Sequence, residues 1–434
     1  MFGYYFNLAL RSFKRNKALT ALMVLAIALG IGASMTTLTV FHVLSGDPIP
    51  QKSDRLFYVQ LDPETREGYK PGREPQDQLT RFDAEELLRQ KQAKRQAMMT
   101  GGGGIIEPEG STLKPFAAGL RYTSSDFFPM FDVPFRLGRP WTAGDDQAHA
   151  RVAVITRALG EKLFGNANPV GRNLRIDGHG LRIVGVLDHW KPTPHFYDLY
   201  TGSYDSDEQA FVPMATALEL KLGRNGNMNC FGRTLVNDPE AENVPCAWLQ
   251  YWVELDSAGD APAYKRYLDN YSEQQRRAGR FERPANTRLR NVPELMAFRQ
   301  VMPNDVRLQL WLALGFLAVC LVNTVGLLLA KFLRRSGEIG VRRALGASRM
   351  DIFKQCMIES GVVGLAGGGI GLLLALLGLR AVRHRPNEYA ALAHLDGSML
   401  LLTFALAIAA SLLAGLLPAW RAMRVPPAIQ LKSQ

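Results

Sequence analysis

The chain has 434 residues, and its 51 Lys and Arg against 40 Asp and Glu give a formal net charge of +11. Such a length predicts two or three domains, and basic charge alone fits nucleic acid, an anionic membrane or an acidic partner. The apolar residues cluster near both ends and leave a long polar middle. This pattern predicts a membrane protein with a large soluble insertion, so we expect a lipid bilayer and no nucleic acid among its partners.

Residues 1–17 are predicted to form a short amphipathic helix at the membrane interface. Apolar side chains recur there at spacings of three, four and seven, the period of one helix face. A disordered leader with several aromatic residues is the alternative. The apolar positions are Phe2, Tyr5, Phe6, Ala9 and Phe13.

Four later segments are long and apolar enough to cross a bilayer core, which needs roughly 20 residues at about 1.5 Å each. They cover residues 18–41, 308–332, 358–379 and 399–420. The first has the basic flank of a signal peptide, but its apolar run exceeds the roughly 7 to 15 residues of a signal peptide's hydrophobic region. We therefore expect a retained anchor.

The distribution of basic residues predicts the orientation of these spans. If the chain crosses the membrane four times, the N-terminal flank, the link at 333–357 and the tail at 421–434 all lie on the same side. These three segments are rich in Lys and Arg, which indicates that this side is the cytoplasm. The insertion at 42–307 and a short loop at 380–398 then lie on the outer side. Arg380, Arg383 and Arg385 in that loop argue against this orientation, because basic residues favour the cytoplasm, but the basic residues of the other three segments outnumber them. The supporting residues are Arg11, Lys14, Arg15, Lys17, Lys331, Arg334, Arg335, Arg342, Arg343, Arg349, Lys354, Arg421, Arg424 and Lys432, against Glu338 and Asp351 in the link.

The insertion reads as an α+β domain. RFDAEELLRQKQAKRQ is predicted to be a helix with Asp83 as its N-cap. The glycines at 101–104 are predicted to form a flexible loop. ARVAVITRALGEKLFG predicts a strand and then a helix ending at Gly165. LRIDGHGLRIVGVLDH predicts a hairpin around residues 177–180. A strand is predicted at YWVELDS, and a helix at the following APAYKRYLDNYSEQQRRAG.

No catalytic or metal-binding pattern stands out. His179, His189 and His195 match no common zinc spacing, and neither G-x-S-x-G nor H-E-x-x-H occurs. The dipeptide Gly-Lys is absent, so the 434 residues contain no Walker A loop. Cys230 and Cys246 lie in the insertion, where they either form a disulfide or remain separate thiols. We expect no cofactor or metal in this chain and no enzymatic activity of its own.

Small residues recur four apart in two of the spans. Such spacing lets helix backbones approach closely in lipid. We interpret it as either a tight, sliding helix interface or ordinary membrane packing. The pairs are Gly30 with Ser34, Gly364 with Gly368, and Gly367 with Gly371.

The link between the second and third spans combines basic charge with an apolar stripe. Val341, Ala344, Leu345 and Ile352 are spaced like one helix face, and Gly346 with Ser348 predicts a break between two short helices. A basic loop on an anionic leaflet would explain the charges alone. The stripe and the break favour a protein partner.

Several stretches now resemble a known family. EIGVRRALGASRMDIFKQCMIES and LLAGLLPAWRAMRVPPAIQLK resemble the signature and C-terminal end of the FtsX/MacB family of ABC transporter permeases. FRLGRPWTAGDD and VAVITRALGEKLFGNANPVGRNLRIDGHGLRIVGVLDH resemble its MacB-like periplasmic core domain. Residues 201–250, including GRNGNMNCFGRT, match no pattern of the family.

The resemblance implies an α-helical four-span bundle (1 + 3) with a large α+β extracytoplasmic domain between spans one and two. It also implies a bacterial inner-membrane protein with both termini in the cytoplasm, and a dimer with a second permease, identical or not. A separate ABC ATPase would bind ATP and magnesium and dock on the link, and its movement would pass to the periplasmic domain. A periplasmic adaptor and an outer-membrane channel are further candidate partners. The expected ATPase contacts are Glu338, Ile339, Gly340, Arg342, Arg343, Ala344, Leu345, Gly346 and Ala347.

The leading functional hypothesis is a permease subunit for export of a peptide, antibiotic or other amphiphile, driven by an ATPase on a second polypeptide. A regulator of cell-wall hydrolases or signalling and a lipoprotein-extraction subunit are the alternatives within the family. Genetic context would separate them, since an adaptor or channel gene favours export and a hydrolase gene favours regulation.

Overall fold

The computed structural model describes residues 17–108, 113–204, 208–232, 237–384 and 397–424. It contains two compact units, an inserted domain at Gly46–Val301 and a helical unit, the membrane bundle, built from the described residues on either side. Except for Lys17, the predicted amphipathic helix at 1–17 lies outside the described residues. Most of the loop predicted at 380–398 and of the tail at 421–434 lies outside them too.

The chain begins its described part with helix α1, Lys17–Ser45. The inserted domain follows and contains twelve strands and seven α-helices within the described residues. The strands are β1 Leu56–Gln60, β2 Leu79–Thr80, β3 Arg95–Ile106, β4 Phe116–Thr123, β5 Phe135–Gly138, β6 Val152–Ile155, β7 Asn173–Ile176, β8 His179–Leu187, β9 Glu208–Pro213, β10 Asn229–Cys230, β11 Cys246–Glu254 and β12 Arg288–Asn291. The helices are α2 Arg81–Gln90, α3 Phe127–Met130, α4 Ala143–Gln147, α5 Arg157–Phe164, α6 Met214–Glu219, α7 Ala261–Arg277 and α8 Val292–Phe298.

The strands form one mixed sheet in the order β12-β1-β11-β3-β4-β9-β6-β8-β5. The pairs β4–β9 and β6–β8 are parallel, and the other neighbours in this order are antiparallel. β11 is buried along its whole length, including Trp248 and Trp252. Its apolar side chains therefore anchor the core, onto which helix α2 packs.

Several local predictions in the insertion are confirmed. Helix α5 follows β6 and ends before Gly165, which has φ +62°. β7 and β8 form the predicted hairpin, with Asp177 (φ +47°) and Gly178 (φ +82°) at its turn. Two consecutive residues with positive φ give the turn whose twist matches the flanking strands. The predicted strand-then-helix also appears, as β11 and α7.

The prediction of a flexible loop at 101–104 was wrong. These glycines lie inside β3 and pair with β4, from Gly101 opposite Arg121 to Gly104 opposite Ala118. A Cβ on Gly104 would lie 2.8 Å from Asp177 Oδ2, so other chain segments approach this stretch too closely for a side chain. The glycine run is needed for close packing across the sheet, which the local sequence does not reveal.

The predicted N-cap at Asp83 was also wrong. Helix α2 starts at Arg81, and the Thr80 side chain accepts a hydrogen bond from the Asp83 backbone N–H. Asp83 is fully buried and accepts hydrogen bonds from Tyr271 Oη (2.7 Å) and Arg280 Nη1 (2.9 Å). Its carboxylate therefore ties α2 to the end of α7.

The membrane bundle adds four helices to α1: α9 Asn304–Arg334, α10 Ser336–Ala344, α11 Arg349–Arg383 and α12 Gly397–Met423. Helices α1, α9, α11 and α12 are long and apolar enough to cross a membrane, which agrees with the four predicted spans. α1 packs against α9, α11 and α12. The spans thus form one bundle with a large α+β domain inserted after the first, as the fold class predicted.

The link between spans two and three differs from its prediction in one respect. The predicted break occurs, because α10 ends at Ala344 and the next helix starts at Arg349. The second helix is not short, since α11 runs without interruption from Arg349 to Arg383. Ser348 and Asp351 form a capping box that starts this helix, and nothing between the link and the span stops it.

Candidate functional site: the link between the second and third spans

Helix α10 has one face against the membrane bundle and one exposed face. Ile339 and Gly340 are buried, and Ile339 belongs to the core shared by the spans. On the other face, Val341 is 51% and Leu345 83% exposed, and Ala344 is exposed as well. The predicted apolar stripe is therefore divided, because its fourth member, Ile352 on α11, is buried in the same core.

The turn after α10 keeps Leu345 at the end of the exposed face. Leu345 N–H donates to Val341 O (3.0 Å), and Ala347 N–H donates to Arg342 O (3.0 Å). Gly346 adopts φ +101°, a conformation that strongly favours glycine and ends the helix. The two residues predicted to cause the break thus do so in different ways, Gly346 by its φ and Ser348 by capping α11.

Charged side chains attach the inner face of α10 to its neighbours. Arg335, between α9 and α10, lies 3.2 Å from Glu338 Oε1 on α10 and 3.0 Å from Glu359 Oε2 on α11. Arg342 donates to Glu338 Oε1 (3.0 Å) and to Gln355 Oε1 on α11 (2.9 Å). A guanidinium can reach two acceptors because its donors form a rigid planar fork. These contacts connect α10 to the end of α9 and the start of α11.

A buried ion pair lies behind this layer. Lys331 Nζ is 2.6 Å from Glu359 Oε1, and both residues are almost completely buried. We define the link ion cluster as Lys331, Arg335, Glu338, Arg342 and Glu359. A buried pair of this kind is retained only when each charge has a close partner.

Glu359 was not among the predicted site residues. Lys331 and Arg335 were counted among the basic residues of the link that indicate its orientation, and the structure pairs both with this carboxylate. A carboxylate one residue inside a predicted apolar span is unusual enough to have been a signal, because such residues are costly in lipid unless paired.

The predicted ATPase contacts fall into three groups. Three are exposed, two are buried against the bundle, and four are partly exposed. The exposed residues are Ala344, Leu345 and Gly346, the buried ones are Ile339 and Gly340, and the partly exposed ones are Glu338, Arg342, Arg343 and Ala347. Val341 and Met350, which were not among the predicted contacts, add exposed apolar surface beside the first group.

The small-residue pairs of α11 face two different helices. A Cβ on Gly364 would overlap Ser411 of α12, and one on Gly368 would lie 2.7 Å from Ala407 Cβ. The other pair, Gly367 and Gly371, faces α1. A Cβ on Gly367 would lie 2.7 Å from Ile27 Cγ2, and a Cβ on Gly371 would lie 3.1 Å from Ala28 O. The third span thus packs closely against the first and the fourth at once.

The pair in the first span faces a third neighbour. A Cβ on Gly30 would lie 2.9 Å from Leu317 Cδ1 of α9, and Ser34 Oγ donates to Ala313 O of the same helix (3.1 Å). This hydrogen bond satisfies a hydroxyl that would otherwise be unpaired in an apolar interior.

The inserted domain holds a separate buried polar cluster. Arg121 of β4 donates to Glu208 of β9 through Nε (2.7 Å) and lies 2.7 Å from Asp198 Oδ2. Tyr197 Oη donates to Glu208 Oε2 (2.6 Å). Burial alone would raise the pKa of Glu208, but the nearby Arg121 and His195 outweigh it and lower this pKa to about 2. The cluster fixes the irregular segment after β8 onto the sheet, and the arrangement offers no exposed reacting group.

The segment 201–250, which matched no pattern, is stabilised by a disulfide. Cys230 of β10 and Cys246 of β11 are bonded, and they face each other across the two strands. Among the described residues, no group of three or more His, Cys, Asp and Glu could hold a metal ion. Within the described residues, the link combines exposed apolar side chains on α10 with the link ion cluster, and we take it as the candidate site.

These observations define a class: a four-span membrane protein with a large α+β domain after the first span and a structured link before the third. The profile of the MacB-like periplasmic core domain matches residues 20–271, and that of the FtsX-like permease C-terminal region matches residues 311–427. The chain belongs to this family of ABC transporter permeases with a MacB-like periplasmic core domain.

Curated relatives are similar over almost the whole chain. The pyoverdine export ATP-binding/permease protein PvdT of Pseudomonas aeruginosa is 24% identical over 425 residues, covering 96% of this chain and 57% of its own length. The macrolide export ATP-binding/permease protein MacB of Rhodospirillum rubrum is 26% identical over 451 residues, covering 100% of this chain and 61% of its own length. The chain thus spans about three fifths of the length of these relatives.

Among solved structures, the periplasmic region of MacB from Actinobacillus actinomycetemcomitans is 16% identical with a TM-score of 0.38. That match covers 59% of this chain and 96% of the solved one.

Proposed function

We propose that this chain is the permease subunit of an ATP-driven exporter in a bacterial inner membrane, with its termini and link in the cytoplasm and its inserted domain in the periplasm. The observation that carries the proposal is the exposed face of α10, formed by Val341, Ala344 and Leu345. The names of the relatives, which describe export with ATP binding and permease parts, support it.

The exposed face suits a protein partner for a physical reason. Burying a leucine that is 83% exposed removes apolar surface from water, which is worth about 1.5–3 kcal/mol before the costs of association. The charged residues behind it hold α10 in place, so little flexibility is lost when a partner binds. We propose that the partner is an ABC ATPase that binds ATP and magnesium, since these 434 residues contain no Walker A loop.

Export would then proceed by mechanical transmission. Closure of the ATPase moves α10, the movement passes along the spans, and the inserted domain changes its conformation on the other side of the membrane. The proposed substrate is a peptide or another amphiphile, and a second permease completes the transporter.

The first experiment tests docking at Leu345. A photo-crosslinking amino acid at position 345 should form an adduct with a polypeptide that contains a Walker A motif, identified by mass spectrometry. Leu345→Asp should weaken copurification of this ATPase by about tenfold or more, because a charge replaces a central apolar contact.

Leu137→Asp is the matched control, since Leu137 is a 38% exposed leucine in the inserted domain. It should leave copurification at the wild-type level. Equal copurification by the Leu345→Asp chain and the wild-type chain would overturn the proposed docking surface.

A further inference from the structure

We propose that Arg335 is a positioning residue that couples α10 to the second and third spans, an inference that rests on the proposed function. Arg335 is the C-cap of α9 and the N-cap of α10, so its backbone bonds to both helices. Its N–H donates to Phe332 O at the end of α9 (3.1 Å), and its carbonyl accepts from Ile339 N–H of α10 (3.0 Å). No flexible loop separates the two helices, so a tilt of α10 must displace this residue.

The side chain of Arg335 extends the connection to a third helix. Nη2 lies 3.2 Å from Glu338 Oε1 of α10, and Nη1 lies 3.0 Å from Glu359 Oε2 of α11. The side chain is only 11% exposed, so water screens these contacts weakly. Arg335 therefore connects the end of α9 through its backbone with the start of α10 and, through its guanidinium, with Glu359 inside α11.

Arg335 contacts both carboxylates of the link ion cluster. Lys331 also contacts Glu359 at 2.6 Å, and Arg342 also contacts Glu338 at 3.0 Å. The guanidinium of Arg335 reaches from Glu338 of α10 to Glu359 of α11, so the geometry of its two contacts connects these helices.

A lysine at this position would keep the charge and lose the bridge. Its ammonium is a point charge on a flexible stem, whereas the arginine fork holds two acceptors in fixed directions. The inference therefore predicts that Arg335→Lys behaves like Arg335→Gln. A purely electrostatic role predicts that it behaves like the wild type.

The first measurement uses the full chain alone in lipid nanodiscs. Hydrogen exchange of residues 336–344 should accelerate about tenfold in Arg335→Gln and Arg335→Lys, because α10 loses the contact that Arg335 makes with Glu359 of α11. Arg334→Gln is the matched control, since Arg334 is the exposed neighbour on α9. Wild-type exchange in both Arg335 variants would overturn the inference, whatever the fate of the proposed function.

The second measurement uses the chain in complex with its ATPase. Lys70 of the inserted domain and Lys354 of α11 are both exposed, and each is replaced by a spin-labelled cysteine. The distance between the two labels is measured before and after addition of ATP and vanadate. The free cysteines Cys320 and Cys356 are buried and do not compete for the label. With enough ATPase present to saturate the wild-type chain and both Arg335 variants, the ATP-dependent distance change should fall by at least half in the two variants.

The outcomes separate the two proposals. A full distance change in the Arg335 variants would overturn the role of Arg335 and leave the permease function standing. Absence of any ATP-dependent change in the wild type would overturn the proposed function, and the hydrogen-exchange result would still decide whether Arg335 positions α10.

Discussion

Lys331 of the second span and Glu359 of the third form an ion pair in which Nζ lies 2.6 Å from Oε1. Both side chains are buried, and both lie close to the link that carries the exposed face of α10. The pair gives these two spans a specific, directional connection where apolar contacts alone would permit sliding. Its position next to Arg335 places a rigid element between the link and the spans.

Loss of this pair should destabilise the bundle. Glu359→Gln leaves the Lys331 ammonium without this carboxylate and should cost about 3–5 kcal/mol of folding free energy. The double variant Lys331→Met with Glu359→Gln should recover part of that loss, because the Lys331 ammonium is then no longer buried opposite a neutral amide and only Arg335 remains beside it. Thermal unfolding in detergent measures both effects, with Lys354→Met on the exposed side of α11 as the control. A single variant as stable as the wild type would contradict the prediction.

Acid should weaken the inserted domain through Glu208. The pKa of this carboxyl is about 2 in the fold, below the ordinary value of 4.5, so its stabilising effect is complete above pH 4.5 and is lost as pH falls towards 2. The effect is on the order of 3 kcal/mol. Protection of the β9 amides against hydrogen exchange, taken relative to the intrinsic rate at each pH, should therefore decrease in the full chain between pH 4.5 and pH 2, and Glu208→Gln should flatten this dependence.

An exposed carboxyl supplies the control for that experiment. The pKa of Glu273 on α7 is also lowered to about 2, by a hydrogen bond from Arg276, but this group is at the surface. Solvent screens exposed pairs, so Glu273→Gln should leave the acid dependence unchanged. An equal effect of the two substitutions would show that burial of the Arg121 cluster is not the cause.

The third span should tolerate alanine at one glycine and reject it at another. In Gly364→Ala the new Cβ would overlap Ser411 and lie 3.0 Å from Ala407 O, so α11 and α12 must separate. Gly369 has nothing within 4 Å of its Cβ position, and Gly369→Ala should be neutral or stabilising by up to about 1 kcal/mol. Unfolding temperatures of the two variants in detergent test this difference. Equal temperatures would argue against close packing at Gly364.

The disulfide should report both stability and compartment. Cys230 and Cys246 enclose a loop with a sequence separation of 16, and Cys230→Ser should lower the free energy of unfolding by about 3 kcal/mol. In cells, Cys230, which is exposed, should resist maleimide labelling before reduction and accept it afterwards, because a disulfide forms in an oxidising compartment. Full labelling without reductant would contradict a periplasmic location of the inserted domain.

Features that depend on neighbouring residues were predictable from the sequence. The four spans follow from long apolar runs, and the hairpin at Asp177 and Gly178 follows from two adjacent residues that tolerate positive φ. The end of α5 at Gly165 and the break at Gly346 have the same local origin. The amino-acid sequence by itself thus determined the architecture of one span, an inserted domain and three spans.

Only the tertiary structure decided the roles that depend on distant partners. The glycines at 101–104 form a strand because β4 and later segments approach them. Asp83 accepts hydrogen bonds from Tyr271 of α7 and from Arg280 just after this helix, 188 and 197 residues away in the chain. Glu359 joins Lys331 and Arg335 because folding brings α9 and α11 together at the link. Periodicity describes one segment at a time, whereas close packing and buried charge pairs depend on which segments meet.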